Sequence, residues 1–497
     1  MADNKQDSNS ASPSRVNHAH DGQAKRRCCK VSLVQPVDGN ARNLPLFAKV
    51  FITANLALLV FIITFASSIL SSATADLEAE FHIPKEVAIL ATSIFVLGFA
   101  VGPVLFGPAS EVLGRKRPLG VGVVGFAAFT VGVAVARDAA TVLVCRFLGG
   151  VFGVASLVIA GGALADIWDP LSRGVAVAGF ASATFTGPVL APIVGGFVSQ
   201  SYLGWRWTQW LTLIATLVFV VVYLIATPET YGPVVAARRD RRRAKSAKVA
   251  EDDDMNAKKR PGDQVDFARL ARVYILKPVL MLGQEPILAL MMLYMGFIYG
   301  FVYLCFEAYP VAFQQDRGWG TGGVSSLPFL AIAVGMLMGV AVVVVHTHTR
   351  MRRKVDARGG DVPEERLVPM MLGSVSLPVG IFWFAWTSSS HVTTWVPQVI
   401  AGIPIGCGIC LVFLQGLNYL IDVYKMSANS AISINAMFRG LLGAGFPLFA
   451  PYMFKTLGVS WAMSLLGFLC IAMVPVPFLF YMYGERIRRW SKFVPST

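Results

Sequence analysis

Charged residues are scarce in this sequence. Asp, Glu, Lys and Arg make up 14% of its 497 residues, whereas soluble domains carry about 25%. Apolar residues make up 55%, and the mean hydropathy is +0.60. This balance excludes an ordinary water-soluble domain. It predicts a polytopic membrane protein whose main surroundings are the lipid bilayer.

Cysteine and histidine are also few, and they form no recognisable site. Cys407 and Cys410 are spaced as C-x-x-C, but they lie in an apolar run without the βαβ context of a redox motif. His346 and His348 have no third ligand nearby, so we expect no metal. The sequence has no GxxxxGK loop followed by Ser or Thr and no paired nucleophile and base. We therefore predict neither an enzyme nor a cofactor.

Twelve apolar runs have the length of about 20 residues that a helix needs to cross a bilayer. They lie at residues 50–72, 87–110, 118–136, 141–164, 174–199, 208–227, 287–307, 322–345, 367–387, 396–421, 427–453 and 459–483. The fold predicted from them is an all-α membrane protein with twelve transmembrane helices.

A polar segment divides these spans into two sets of six. Residues 228–278 hold 13 basic and 8 acidic residues, which predicts a solvated linker. The domains expected from this pattern are a disordered tail at 1–49, bundles at 50–227 and 279–483 and a short tail at 484–497. The first tail lacks the pattern of a cleaved signal peptide.

The net charge of +14 is distributed very unevenly. Thirty-six of the 43 Lys and Arg residues lie on the side of the predicted topology that holds both termini, and five lie on the other side. By the positive-inside rule, both termini are cytoplasmic. The excess of basic residues therefore reflects topology and attraction to anionic lipid, and it does not predict a nucleic-acid partner.

Span five carries two prolines inside its apolar run, in TGPVLAPIVGG at 186–196. Each proline removes a backbone hydrogen bond, and the hydroxyls of Thr184 and Thr186 are close enough to bond the freed carbonyls. FPLFAP in span eleven repeats the proline spacing. A stripe of small residues predicts close helix packing, and we expect it at the interface between the bundles. The stripe consists of Gly179, Ala183, Gly187, Ala191 and Gly195.

Several motifs together resemble the major facilitator superfamily, and within it the fungal twelve-span drug:proton antiporters. GPASEVLGRKRPL at 107–119 resembles the loop after span two, RFLGGVFG at 146–153 the span-four motif, and GFASATFTGPVLAPIVGG at 179–196 the antiporter signature. Spans seven, eleven and twelve are also similar to those of this family. Glu111 stands where many members have aspartate. The residues that match the antiporter motif are Gly179, Gly187, Pro188, Ala191, Pro192, Gly195 and Gly196. The family often has glycine at the position of Ala191.

This resemblance implies two pseudo-symmetric bundles and transport by alternating access. It implies proton-coupled export of a hydrophobic drug, fungal metabolite or toxin, with protons and a small molecule as partners. We expect a monomer in the plasma membrane, with the vacuolar membrane as the alternative. A polyamine or other cation exporter and a nutrient symporter are alternative functions. Polyamines need several cavity carboxylates, and this sequence offers few.

Three charged residues are predicted to couple transport to protons. Arg439 lies thirteen residues into span eleven, about 20 Å deep, where a charge indicates function. The resemblance implies a coupling role for Arg146 in span four. Arginine does not deprotonate in proteins, so each would act on a carboxylate or on water. The third candidate is Glu307. The alternatives are a structural Arg439 bonded to freed helix carbonyls and an Arg146 that snorkels to the surface.

A stripe on span seven is predicted to line a substrate cavity. Met295, Tyr299, Tyr303 and Glu307 follow at steps of four and share one helix face. An aromatic stripe that ends on a carboxylate suits a lipophilic substrate. A plain packing face is the alternative. Asn435 of span eleven is assigned to the same cavity.

Charged residues on the cytoplasmic side predict a conformational gate. The spacing GxxxExxGRK predicts a structured turn in which Gly114 takes a positive φ. Salt bridges around this turn would hold one transport state and release it in the other. Plain topological charge is the alternative. The predicted gate consists of Gly107, Glu111, Gly114, Arg115, Lys116, Asp166 and Arg173, with Arg117 and Asp169 beside them.

Overall fold

The computed structural model describes residues 41–237, 277–320, 322–358, 362–389, 393–424 and 428–488. Eleven helices in these ranges are long and apolar enough to cross a membrane. The last of them, Ser430–Gly484, is 55 residues long and contains two spans. It breaks at Gly458, where φ is +69° and ψ is 167°. The prediction of twelve spans is therefore confirmed.

The spanning helices are numbered α1 to α12. The first six are α1 Leu46–Ser68, α2 Lys85–Leu113, α3 Lys116–Ala134, α4 Ala139–Ile167, α5 Pro170–Ser199 and α6 Arg206–Ala226. The second six are α7 Pro286–Pro310, α8 Phe329–His346, α9 Leu367–Trp386 and α10 Gly402–Tyr424, followed by α11 at 428–457 and α12 at 459–473. We call the end of the molecule at which α1 begins the termini end, and the other the opposite end.

Short helical segments extend or connect these spans. The 3-10 helices are Ala41–Asn43, Ile69–Ala73 and Pro363–Arg366, and the π turns are Val311–Gln315 and Thr347–Met351. The short α-helices are Thr74–Phe81, Lys277–Gln284, Gly323–Ser326, Arg352–Arg358, Trp395–Ile400 and Pro475–Arg488. The segment Ile69–Ala73 interrupts the first span and is important for the site described below.

The predicted domain boundaries need small corrections where the chain is described. Helix α1 begins at Leu46, inside the predicted first tail, and the final helix continues to Arg488, inside the predicted second tail. The first residues of the predicted linker are ordered, because Glu229 accepts hydrogen bonds from the start of α3. The rest of the tails and linker, at 1–40, 238–276 and 489–497, lies outside the described residues.

Each half has an apolar core, and the core of the second half extends into the first. Val96 of α2 and Phe185, Val189 and Ile193 of α5 are buried together with the side chains of α7 to α12. One face of α2 and one face of α5 therefore form the contact with the other half. The two halves meet over a packed apolar centre.

The small-residue stripe on α5 does close-pack, but its partner is not the other half. A Cβ at Gly187 would lie 2.4 Å from Thr64 Oγ1 and 2.7 Å from the carbonyl oxygen of Phe61, both on α1. A Cβ at Gly195 would lie 2.5 Å from the carbonyl oxygen of Ile69. The predicted placement of this stripe between the bundles is therefore wrong. The apolar face of α5, and not its small face, meets the second half.

Gly179 and Gly196, the first and last residues of the antiporter motif, have different surroundings from those of Gly187 and Gly195. Gly179 is exposed, and a Cβ there would have no atom within 4 Å. Gly196, which is off the stripe, does reach the other half: its Cβ would lie 2.7 Å from the backbone nitrogen of Gly323. This backbone contact joins the halves at the opposite end.

The freed carbonyl in α5 is satisfied by α1. Pro192 has no N–H, so the carbonyl of Pro188 lacks its helical donor. The Ser68 hydroxyl donates to that carbonyl oxygen at 2.8 Å. Thr184 donates instead to Phe180 within its own helix at 3.1 Å. The prediction that Thr184 bonds a freed carbonyl is therefore wrong, because a residue from a neighbouring helix does so.

Candidate functional site

Arg146 of α4 is buried in the first half, with 2% of its surface exposed. Its Nε donates to the carbonyl oxygen of Ala91 on α2 at 3.0 Å. Its Nη1 and Nη2 donate to the carbonyl oxygens of Ala66 and Ser67 on α1, at 2.7 and 2.8 Å. The guanidinium also lies 4.2 Å from the centre of the Phe95 ring. Snorkelling to the membrane surface is therefore wrong for this residue.

The carbonyls that Arg146 binds lie where α1 stops being regular. Directly after them the chain enters the 3-10 segment Ile69–Ala73. A 3-10 helix bonds residues three apart, so it disrupts the four-residue pairing of the preceding carbonyls. Arg146 supplies donors at this break, which is the role considered for Arg439 from the sequence. Within the described residues, its hydrogen-bond acceptors are carbonyls and not a carboxylate.

A chain of polar contacts joins Arg146 to the second half. Ser67, whose carbonyl accepts from Arg146, forms a hydrogen bond through its hydroxyl with the Tyr303 hydroxyl of α7 at 2.7 Å. The hydroxyls of Tyr303 and Tyr299 lie 3.4 Å apart. The Tyr299 ring centre lies 4.6 Å from the guanidinium carbon of Arg439 on α11. We call these five residues the cross-half network. It connects both membrane arginines through two tyrosines and a serine.

Arg439 lies between two aromatic rings at the centre of the molecule. Its guanidinium carbon is 4.6 Å from the Tyr299 ring centre and 4.9 Å from that of Phe413 on α10. Phe185 of α5 packs on the same rings, with its centroid 4.4 Å from Phe413 and 6.2 Å from Tyr299. Arg439 is 9% exposed, and its guanidinium has no hydrogen bond or salt bridge within the described residues.

The predicted substrate-cavity residues lie in the packed centre in this conformation. Met295, Tyr299 and Tyr303 are at most 1% exposed, and Asn435 is 2% exposed. The Asn435 amide nitrogen lies 3.6 Å from the Met295 sulfur. The stripe faces the first half, as the contact of Tyr303 with Ser67 requires. An open cavity at these residues needs the two halves to separate.

Glu307 continues the tyrosine stripe to the opposite end. It is half-buried and lines a cavity of about 250 Å³ together with Glu78, Lys85 and Gln314. The residues of this cavity come from both halves. Tyr303 lies one helical turn before Glu307. The carboxylate is therefore near the cross-half network and also near the opposite-end surface.

A second cavity, of about 230 Å³, lies at the termini end between the halves. The predicted gate residues Gly107, Glu111, Arg115 and Arg173 line it from the first half. From the second half it is lined by Leu417, Ile421, Ile432 and Ser433. Four of the seven predicted gate residues therefore line a cavity between the bundles.

The turn after α2 has the predicted geometry. Gly114 has a φ of +88°, which confirms the prediction from the GxxxExxGRK spacing. Arg115 is 7% exposed, and its Nε pairs with Asp166 Oδ2 at 3.2 Å. Its Nη1 donates to the Ser110 hydroxyl at 2.8 Å. Burial and the carboxylate of Glu111 raise the pKa of the neighbouring Tyr231 phenol, which keeps that phenol neutral.

Glu229 holds this turn in place, and sequence reasoning missed it. One of its oxygens accepts from the backbone nitrogen of Arg115 at 2.7 Å, and the other accepts from that of Lys116 at 3.3 Å. A carboxylate at a helix N-terminus satisfies unpaired N–H groups there. The Lys116 ammonium donates to the carbonyl oxygen of Thr227 at 2.7 Å. The predicted linker thus begins with a structural element of the gate.

The side chain of Arg173, a predicted gate residue, contacts the other half. Its Nη2 lies 3.5 Å from Asp422 Oδ1 at the end of α10. The other oxygen of Asp422 pairs with Arg366 Nε, in the same half, at 3.1 Å. Asp422 and Arg366 were not predicted. One carboxylate is therefore shared between an arginine of its own half and one of the other half.

The internal repeat could have revealed both residues. Arg115 precedes α3 and pairs with Asp166 at the end of α4, while Arg366 precedes α9 and pairs with Asp422 at the end of α10. Helices α9 and α10 follow α3 and α4 by six. The second-half residue that matches Arg115 is therefore Arg366, at the start of span nine.

This arrangement has the parts that an alternating mechanism needs. The termini-end cavity and the opposite-end cavity are separated by a packed aromatic centre. Polar contacts between the halves occur at the termini end through Asp422, in the centre through Tyr303, and at the opposite end, where the Tyr452 hydroxyl donates to Glu86 at 3.2 Å. Such contacts can break on one side while they form on the other.

Comparisons with known proteins identify the family of this chain. The family model described as Major Facilitator Superfamily matches residues 56–447. The chain is 64% identical to the MFS-type transporter traF of Penicillium crustosum over 459 residues, which cover 92% of each protein. It is 47% identical to the citrinin biosynthesis cluster MFS transporter mrr1 of Monascus ruber over 454 residues, 91% of this chain and 90% of that protein.

A solved structure has a similar fold. The MFS proton:xylose symporter XylE, bound to 6-bromo-6-deoxy-D-glucose, matches with a TM-score of 0.62 over 88% of this chain and 96% of that one. The sequences are 14% identical, so the likeness establishes the fold alone.

Proposed function

Because the chain belongs to the Major Facilitator Superfamily, whose members carry small molecules across membranes, we propose that it exports a hydrophobic metabolite in exchange for protons by alternating access. The observation that carries this proposal is the cross-half network, which links Arg146 to Arg439 across the interface that must open. Related fungal proteins are named as transporters, and the name of one of them refers to a citrinin biosynthesis cluster.

Glu307 is the proposed proton carrier. It is the titratable carboxylate at the end of the tyrosine stripe, and the opposite-end cavity gives it a route to solvent. Arg146 keeps its charge, so its proposed role is to hold the broken segment of α1 next to Ser67. Protonation of Glu307 would then favour a different packing of α7 against α1, and this shift would couple the proton to the opening of the halves.

The proposed substrate is a lipophilic metabolite or drug that is neutral or weakly acidic. The lining of the termini-end cavity includes Phe180, Leu417, Ile421 and Ile432 from both halves, which suits an apolar molecule. A polyamine is disfavoured, because Arg439 would repel a polycation in the centre. We propose that the termini end is cytoplasmic, that the membrane is the plasma membrane and that the protein acts as a monomer.

Transport into inside-out vesicles tests the proposal. Vesicles from cells that express the chain are acidified inside, and uptake of citrinin, the metabolite named for one relative's gene cluster, is measured. We expect luminal acidification to drive uptake. Glu307→Gln and Arg146→Ala should lower the gradient-driven rate at least tenfold, and Arg146→Lys should not restore it, because lysine cannot bind three carbonyls in the same geometry.

The matched control is Glu80→Gln. Glu80 lies at the same end of the molecule but pairs with Arg206 outside both described cavities. The transport rate of Glu80→Gln should therefore stay within twofold of that of the unmodified protein. An uptake rate that is the same with and without the pH gradient would contradict proton coupling. A wild-type rate in Glu307→Gln, with normal abundance, would remove Glu307 from the mechanism.

A further inference from the structure

We infer that Arg439 binds the anionic group of the transported substrate, and that this substrate is an aromatic acid whose ring system packs among Tyr299, Phe413 and Phe185. The inference rests on the proposed function, since it specifies the substrate of the same transporter. It assigns Arg439 a direct contact with the substrate.

The first argument is the unsatisfied charge. Arg439 is about nine-tenths buried, with 9% of its surface exposed, and it has no acceptor within the described residues. Arg146, which is buried to a similar degree, donates to three carbonyls. A buried guanidinium with five N–H donors and no acceptor is costly. Arg439 is therefore suited to bind an anion, and a carboxylate matches the guanidinium fork.

The second argument is the shape and chemistry of the surroundings. The Tyr299 and Phe413 rings lie 4.6 and 4.9 Å from the guanidinium carbon, and Phe185 adds a third ring from the other half. Flat aromatic surfaces pack well on such rings, with about 0.5–1.5 kcal/mol per pair beyond area burial. An acid attached to an aromatic system can therefore pair with Arg439 while its rings replace the contacts that now close the centre.

The third argument is access from the termini end. Leu417, one turn after Phe413, and Ser433, six residues before Arg439, both line the termini-end cavity. Six residues of helix correspond to about 9 Å. The cavity thus ends near the aromatic cluster.

Equilibrium binding to the purified full-length protein in detergent tests the inference. The probes are 2-naphthoate and anthracene-9-carboxylate at pH 7, each compared with its uncharged methyl ester. We expect at least one acid to bind at least tenfold more tightly than its ester. Arg439→Gln should abolish this preference and leave ester affinity within threefold. Arg439→Lys should give an intermediate preference, because it keeps the charge but loses the two-point geometry.

Matched variants keep the outcome decisive. Arg206→Gln removes an arginine at the opposite-end surface and should leave the acid preference unchanged. If neither acid is preferred over its ester, or if Arg439→Gln keeps the preference, the assignment is overturned. If Arg439→Gln does not fold, Arg439→Lys decides, and an unchanged preference in that variant also overturns it.

The test separates this inference from the proposed function. Binding requires neither a membrane nor a pH gradient, so carboxylate recognition can hold even where gradient-driven uptake is absent. Conversely, vesicles that take up citrinin with a pH gradient, but at the same rate in Arg439→Gln, would support proton-coupled transport and reject anion recognition by Arg439.

Discussion

At the scale of single residues, the main feature is the way polar groups are satisfied across helix boundaries. Arg146 donates to carbonyls at the break in α1, and Ser68 donates to the carbonyl that Pro192 leaves free in α5. Both contacts lie on the first span, close to Tyr303 of the other half. Local irregularities of two helices are thus stabilised by their neighbours, which links the positions of α1, α4, α5 and α7.

Ser68→Ala tests the bond to the freed carbonyl. The substitution leaves the Pro188 oxygen unpaired and should lower the free energy of unfolding by about 1–3 kcal/mol. Adding Pro192→Ala restores a backbone N–H for that oxygen, so the cost of Ser68→Ala should become small in this background. The measurement is a double-mutant cycle on unfolding in mixed micelles.

The control is Ser464→Ala, since Ser464 is equally buried and its hydroxyl donates within its own helix to Ser460. Ser464→Ala should lower the free energy of unfolding less than Ser68→Ala does. Its effect should be the same with and without Pro192→Ala. Additive effects of Ser68→Ala and Pro192→Ala would show that the serine does not compensate for the proline.

At the scale of elements, α5 has two different faces. Its small face packs closely on α1 through Gly187 and Gly195, and its apolar face packs on the second half through Phe185, Val189 and Ile193. The first contact brings backbones together, whereas the second consists of larger side chains. We therefore expect α1 and α5 to move as a unit and the second contact to change during transport.

Gly187→Leu and Gly179→Leu form a matched pair on this helix. A side chain at Gly187 meets the backbone of α1 within 2.7 Å, whereas one at Gly179 meets no atom within 4 Å. Overpacking costs about 1–3 kcal/mol. Gly187→Leu should therefore reduce thermal stability in detergent and stop vesicle uptake, while Gly179→Leu should leave both nearly unchanged. Equal stability of the two variants would contradict the close packing of α1 and α5.

At the scale of the whole molecule, the halves are joined by different contacts at each end. The opposite end uses the backbone contact of Gly196 with Gly323 and the hydrogen bond of Tyr452 with Glu86. The termini end uses the ion pair of Arg173 with Asp422, next to an open cavity. Ion pairs break more readily than a packed backbone contact, so we expect the balance between transport states to respond to Arg173.

Arg173→Gln should shift that balance toward opening at the termini end. A partly exposed pair contributes about 0.2–1 kcal/mol, so the open population should rise by up to about fivefold. The measurement is labelling of Ser433→Cys, in the termini-end cavity, with a membrane-impermeant maleimide in a background without the native cysteines. Arg350→Gln is the control, because Arg350 pairs with Glu365 within the second half; it should not change labelling. Unchanged labelling in Arg173→Gln would exclude a gating role.

Several features were predictable because they depend on local chemistry. The run lengths and low charge determine the twelve spans, since a membrane requires each helix to satisfy its own backbone. The glycine in GxxxExxGRK predicts the positive φ at Gly114, because few other residues adopt it readily. The steps of four on α7 predict a shared face for Tyr299 and Tyr303.

The remaining features depend on which helices become neighbours, and only the tertiary structure decides this. The small stripe of α5 indicates close packing but cannot identify α1 as its partner. Arg146 and Arg439 are both charges in apolar runs. Within the described residues, however, Arg146 donates to three carbonyls, whereas the Arg439 side chain stacks between two rings. Side-chain partners that lie more than a hundred residues apart, such as Ser68 and Pro188, are set by helix packing. The sequence by itself therefore determined the spans and their faces, and the packing of those faces determined the site.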